Sequence, residues 1–243
     1  MNDIAFSCLI ASLCTLLGAI PALLFKHVSH RGRDSLLAYT AGIMVAASTY
    51  SLIPSALKLS NLPVLTIGIL AGTAVLTVME KWIPHAEPSH TPRTDRMNEK
   101  SLFFLIAMGL HNLPEGLSVG VSYASDHPDL GPLVSFAIGL QNVPEGFLIA
   151  LFLLSHGVGR WKAIAFSFGT ALVELIACMA GYHFTSRVSG IVPYGLAFAA
   201  GAMLFIVYKE LIPESHGDGH ERPATFAFIA GLLTMIALSH SFR

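Results

Sequence analysis

The chain has 243 residues, 53% hydrophobic and only 12% charged, with a net charge of −1 and a mean hydropathy of +0.65. Soluble domains carry about 25% charged residues, so this composition excludes one and points to a polytopic membrane protein. There is no basic cluster to suggest a nucleic-acid partner; the bilayer itself is the partner expected.

Apolar runs fall at 4–25, 35–57, 62–84, 101–124, 131–155, 161–184, 191–213 and 223–242. A helix of about 20 apolar residues crosses the hydrocarbon core, so eight transmembrane helices in one domain, 1–243, are expected. The first run has no A-x-A site after it and its basic residues follow it, so it reads as a retained span rather than a signal peptide. With the N-terminus outside, eleven of the fourteen Lys and Arg fall in inner loops, among them Arg31, Arg33, Arg160, Lys162 and Lys209. Basic residues stay on the cytoplasmic side, so both termini are expected to be extracytoplasmic. The compact loops fit a bacterial cytoplasmic membrane. Cys8, Cys14 and Cys178 all lie in apolar runs and read as buried small hydrophobes rather than disulfide partners.

Only the segment 85–100 is long and hydrophilic enough to be a mobile cytoplasmic loop. Its His85, Glu87 and His90 read as solvated, with metal capture at a pathway mouth as the alternative.

The fourth and fifth spans carry the chemistry. His111-Asn112-Leu113-Pro114-Glu115-Gly116 is matched thirty positions later by Gln141-Asn142-Val143-Pro144-Glu145-Gly146. His111 and Glu115 are one helical turn apart on one face, as are Gln141 and Glu145. Each proline lacks an N–H, which frees the carbonyl of Leu110 or Leu140 and kinks the helix. Ionisable and amide groups at bilayer depth are costly and mark an ion pathway. Glu174, the only carboxylate of the sixth span, belongs with them. A shared cation satisfies all of these groups at once; protonation is the other solution for Glu174.

A second repeat is fainter. Residues 41–55 and 200–214 agree at six of fifteen positions at a constant offset of 159. On the orientation above, the second and seventh spans run in opposite directions. Inverted repeats of this kind enclose a mid-membrane site between proline- or glycine-interrupted helices, so three spans, a central pair and three spans are expected. Glu210, Glu214 and His216, followed by Asp218 and His220, read as an exit relay, or alternatively as an ordinary helix end. Ser48, Ser51 and the GxxxG pairs Gly68/Gly72 and Gly116/Gly120 read as packing features.

Imidazole with carboxylates suits zinc, iron, manganese or cadmium better than magnesium, and the lack of thiolates disfavours copper(I). Protons compete for clustered carboxylates, so metal uptake should weaken in acid. The chain has no nucleotide-binding P-loop and no H-E-x-x-H motif, and no catalytic cofactor is expected. An intramembrane metal hydrolase and a non-transporting metal sensor are the rival readings. The residues alone do not separate import from export.

These motifs resemble the ZIP (Zrt/Irt-like) family of divalent metal transporters, most of all its GufA-like branch. The resemblance covers essentially the whole chain. It implies import of metal through a binuclear site, with His111, Glu115, Gln141 and Glu145 at the first position. Asn112, Asn142 and Glu174, sharing the bridging Glu115 and Glu145, match the second. Glu210 matches an acidic residue on the release path. Relatives more often carry Asp where Asn142 stands, and some carry His where Lys209 stands. The resemblance further implies a homodimer in which spans one, four, five and six slide elevator-like against the rest.

Overall fold

Each expected apolar run forms one long helical stretch. The computed structural model describes residues 2–24, 28–81, 94–217 and 219–241. In chain order they are α1 (Asn2–Ala22), α2 (His30–Leu59), α3 (Leu62–Lys81) and α4 (Thr94–Tyr123), then α5 (Leu130–Ser155), α6 (Arg160–Thr185), α7 (Val192–His216) and α8 (Glu221–Ser241). Seven stretches among the described residues, all but α4, are long and apolar enough to cross a membrane. The polar motif lowers the hydropathy of α4. The surface is apolar where a soluble protein's would be polar. Phe6, Leu17, Ile67, Leu70, Ile176 and Phe226 are exposed while Glu115, Gln141 and Asn142 are fully buried. That distribution suits lipid outside and a polar path within.

Local signals set the helix ends. Ser29 caps α2 by accepting from the Gly32 N–H at 3.1 Å, and Asn61 Oδ1 accepts from the Val64 N–H, also at 3.1 Å, at the start of α3. After α5 the chain turns at Gly157, whose φ of 80° only glycine adopts without strain. Both α4 and α5 run on through Pro114 and Pro144. One expectation changes here. The segment taken as loop to residue 100 is already helical from Thr94, because nothing between Thr94 and Leu113 is a breaker except Gly109. His85, Glu87 and His90 lie outside the described residues.

Packing divides the helices into two sets. The most extensive contacts join α4 to α6, α1 to α5, α2 to α8 and α3 to α7. Small residues let the backbones touch. A side chain at Gly116 would overlap the carbonyl of Glu174, and one at Gly146 would overlap the carbonyl of Thr15. In the other set, Gly72 meets the carbonyl of Phe198 just as Gly231 meets that of Tyr39. Residues 231 and 72, 198 and 39, and 174 and 15 each differ by 159, so the faint sequence repeat recurs in the contacts. It recurs in the backbone too. A π-helical turn interrupts α2 at Ala47–Leu52 and α7 at Val207–Leu211, and such turns cluster at functional sites.

The cysteine expectation is corrected. Cys8 and Cys178 form a disulfide, because α1 crosses α6 and brings their Cα atoms to 6.1 Å across a sequence separation of 170. Cys14 alone is a free thiol, half-buried.

Candidate metal centre

The polar residues of the two motifs meet where α4, α5 and α6 pack together. All of His111, Asn112, Glu115, Gln141, Asn142, Glu145 and Glu174 are buried, none more than 7% exposed. Helical spacing puts His111 one turn from Glu115 and Gln141 one turn from Glu145, and the contact of α4 with α5 brings the motifs together. Gln141 Nε2 donates to Glu115 Oε1. Asn142 Nδ2 donates to Glu174 Oε2 at 2.8 Å and to the Ala11 carbonyl of α1 at 2.9 Å. Each of the two amides thus donates to a buried carboxylate.

The opposite ends of these groups are unsatisfied. Asn112 Oδ1, Glu115 Oε2, Gln141 Oε1, Asn142 Oδ1 and Glu145 Oε1 are buried and have no hydrogen-bond partner in the protein. Buried polar atoms are paired in more than nine cases in ten, so several acceptors lacking donors at one place call for a cation. His111 adds a nitrogen. Its Nδ1 lies 3.1 Å from the Ala107 carbonyl, which can only accept, so Nδ1 carries the proton and Nε2 has its lone pair free. That Nε2 lies 3.4 Å from Glu210 Oε2 of α7. Two lone-pair donors at this separation are reconciled by a proton or a metal between them.

Among the described residues no three His, Cys, Asp or Glu side chains are already drawn together as a cage. The Gln141 amide instead donates to Glu115, and that of Asn142 to Glu174 and the Ala11 carbonyl.

A cavity of about 140 Å³ leads from His111 and Glu145 past Glu210 and Glu214. Arg33 also lines it and pairs with Glu214. Of the residues expected on the exit, Glu210 and Glu214 are therefore on the cavity wall. His216 is exposed at the end of α7 and does not line it, and Asp218 lies outside the described residues. His220 instead bonds Asp34 at 3.0 Å, a buried carboxylate of α2. Ser48 and Ser51 are buried in the π-helical turn of α2 with hydroxyls unpaired.

Sequence reasoning overlooked Arg33, treating it only as an orientation charge. The signal was present: Arg33, Leu37, Thr40 and Met44 follow a 4-3-4 spacing, which is one helix face, and all four line the cavity. Asp34 was equally readable as the only acid in α2. Phe104 and Phe152, stacked with centroids 3.9 Å apart, complete an apolar wall.

Comparison with known proteins agrees. Residues 82–239 match the sequence model of the family described as ZIP Zinc transporter. The zinc transporter GufA of Myxococcus xanthus is 35% identical over 96% of each chain. The zinc transporter ZIPB of Bordetella bronchiseptica is 35% identical over 92% of this chain and 76% of its own. The zinc transporter ZupT of Streptococcus mutans is 30% identical over 93% of this chain and 92% of its own. With an all-helical fold, a buried polar path and this similarity end to end, the chain is an integral multi-pass membrane protein that belongs to the ZIP zinc transporter family, in its GufA-like branch.

Proposed function

We propose that this chain imports divalent transition-metal ions into the cytoplasm, zinc first, with cadmium, iron and manganese as further substrates. The observation that carries the reading is the group of buried acceptor oxygens without donors around His111, Glu115 and Glu145. Zinc accepts imidazole and carboxylate donors, and the relatives named above are zinc transporters. The protein is not an enzyme.

The ion sits in a binuclear site. His111, Glu115, Gln141 and Glu145 hold the first position; Asn112, Asn142 and Glu174, with the bridging Glu115 and Glu145, hold the second. Release runs past Glu210 and Glu214 and then His216. The termini are extracytoplasmic, and the chain is a homodimer in a bacterial cytoplasmic membrane. The helices form an inverted repeat of three, two and three. Contacts that recur at an offset of 159 on both sides of the α4–α5 pair support that arrangement. Transport is by alternating access, in which α1, α4, α5 and α6 slide against α2, α3, α7 and α8. Two features support the sliding: the two sets pack more extensively within themselves than against each other, and His111–Glu210 links one set to the other.

The test is uptake of labelled zinc into proteoliposomes, with cadmium, iron and manganese as competitors. Saturable uptake is expected, strongest in competition with cadmium. Tight zinc binding with no flux would remove the transport reading.

Asn142 makes a separate prediction. In Asn142→Asp, the donor to Glu174 and Ala11 becomes a carboxylate facing two acceptors at 2.8 and 2.9 Å. A metal cation or a proton relieves that repulsion. The variant is expected to melt lower than wild type in chelator and to gain more from added zinc. Equal zinc-induced shifts in both proteins would show that Asn142 is not at a metal position.

A further inference from the structure

Thr15 stands apart from every other threonine whose side chain is described. Those at 40, 49, 66, 73, 77, 170, 185, 225 and 234 each donate a hydrogen bond to a backbone carbonyl. Thr15 is 1% exposed, and its Oγ1 has no partner in the protein. The usual acceptor for a helical threonine is the carbonyl four residues back, here that of Ala11, and Asn142 Nδ2 already occupies it at 2.9 Å. The hydroxyl is therefore left over one helical turn from the carbonyl that anchors Asn142.

Its place in the repeat says what it is left over for. The carbonyl of Thr15 meets Gly146, which follows Glu145, as the carbonyl of Glu174 meets Gly116, which follows Glu115. Thr15 and Glu174 are 159 apart, and the two motifs are 30 apart. Exchanging the halves therefore turns the bonded pair Asn142–Glu174 into Asn112–Thr15. The amide of Asn112 is also buried with both its nitrogen and its oxygen unpaired. Two orphans occupy the positions that mirror a bonded pair.

We propose that the Thr15 hydroxyl is a ligand of the second metal position, opposite Glu174, and that it sets which ion that position prefers. This rests on the transport site proposed above. A hydroxyl adds a neutral, hard oxygen to amide and carboxylate oxygens. Six-oxygen shells suit manganese(II), whereas zinc is content with four ligands. The hydroxyl accordingly matters more for manganese than for zinc.

The test uses the full chain as wild type, Thr15→Val, which keeps the shape and loses the hydroxyl, and Thr15→Ser, which restores it. Zinc and manganese uptake are each measured in proteoliposomes, and manganese(II) binding is followed by electron paramagnetic resonance on the same proteins in detergent. In Thr15→Val the affinity for manganese is expected to fall about tenfold relative to zinc, within the 10–100-fold typical of lost metal-site contacts. Thr15→Ser is expected to keep the wild-type ratio. An unchanged ratio in Thr15→Val, an equal loss for both metals, or a wild type that binds zinc but no manganese overturns the assignment. Thr15-dependent manganese binding without flux upholds the ligand and instead removes the transport reading.

Discussion

Metal uptake by the double variant Glu115→Ala/Glu145→Ala is expected to fall to the level of protein-free vesicles, while the protein still folds and inserts. Both residues carry carboxyl groups buried in the interior, at 0% and 7% exposure, and both have an oxygen with no donor to satisfy it. Removing them takes away the two ligands proposed to bridge the metal positions and leaves Glu174 as the only carboxylate of the proposed central site. Loss of an outer partner of a metal site costs roughly 10–100-fold in affinity, so two direct ligands cost more than that together. The fold does not depend on them to the same degree. Unpaired buried carboxylates oppose folding, and taking them out relieves that cost. The Gln141 amide loses its acceptor, a penalty of about 1–3 kcal/mol. Zinc uptake and size-exclusion profile measured on the same preparation decide it. Normal flux in the double variant would place the metal path elsewhere.

The second large effect is structural. Gly146→Ala is expected to lower the melting temperature by about 6–12 °C, through an overpacking cost of about 3 kcal/mol, the upper end of the usual range. A Cβ there would overlap the carbonyl of Thr15, which is backbone and has no rotamer into which to retreat. The displaced helix is α1, whose Ala11 carbonyl anchors Asn142, so the metal position proposed there is expected to loosen as well. Gly169→Ala in α6 is the matched control, since nothing lies within 4 Å of its Cβ. Replacing a helical glycine in open space is neutral or stabilising by about 0.5–1 kcal/mol. Comparable melting temperatures for the two variants would show that α1 and α5 are not in close backbone contact.

Much of this molecule is readable before any coordinates are known. A charge content of 12% and eight apolar runs specify a bundle of membrane helices, because hydropathy and length are additive along the chain. The turn-to-turn spacing within each motif puts His111 beside Glu115 and Gln141 beside Glu145 for the same local reason. The offset of 159 is visible as six matched residues and returns as matched backbone contacts. Two stretches went further than local pattern allowed. The hydrophilic segment before residue 101 looked like loop, yet from Thr94 it lacks breakers and continues the helix. The cysteines looked like ordinary small apolar residues, yet two of them face each other across α1 and α6.

The sequence by itself thus determined the class, the helices and the polar residues that sit at the middle of the bundle. Only the tertiary structure decided which residues meet: Asn142 with Glu174 and Ala11, His111 with Glu210, Arg33 with Glu214, while the Thr15 hydroxyl has no hydrogen-bond partner. The reason is physical. Helical periodicity fixes which residues share a face, but which face meets which neighbour depends on how closely the helices approach, and here glycines such as Gly116 and Gly146 set that approach by letting backbone touch backbone.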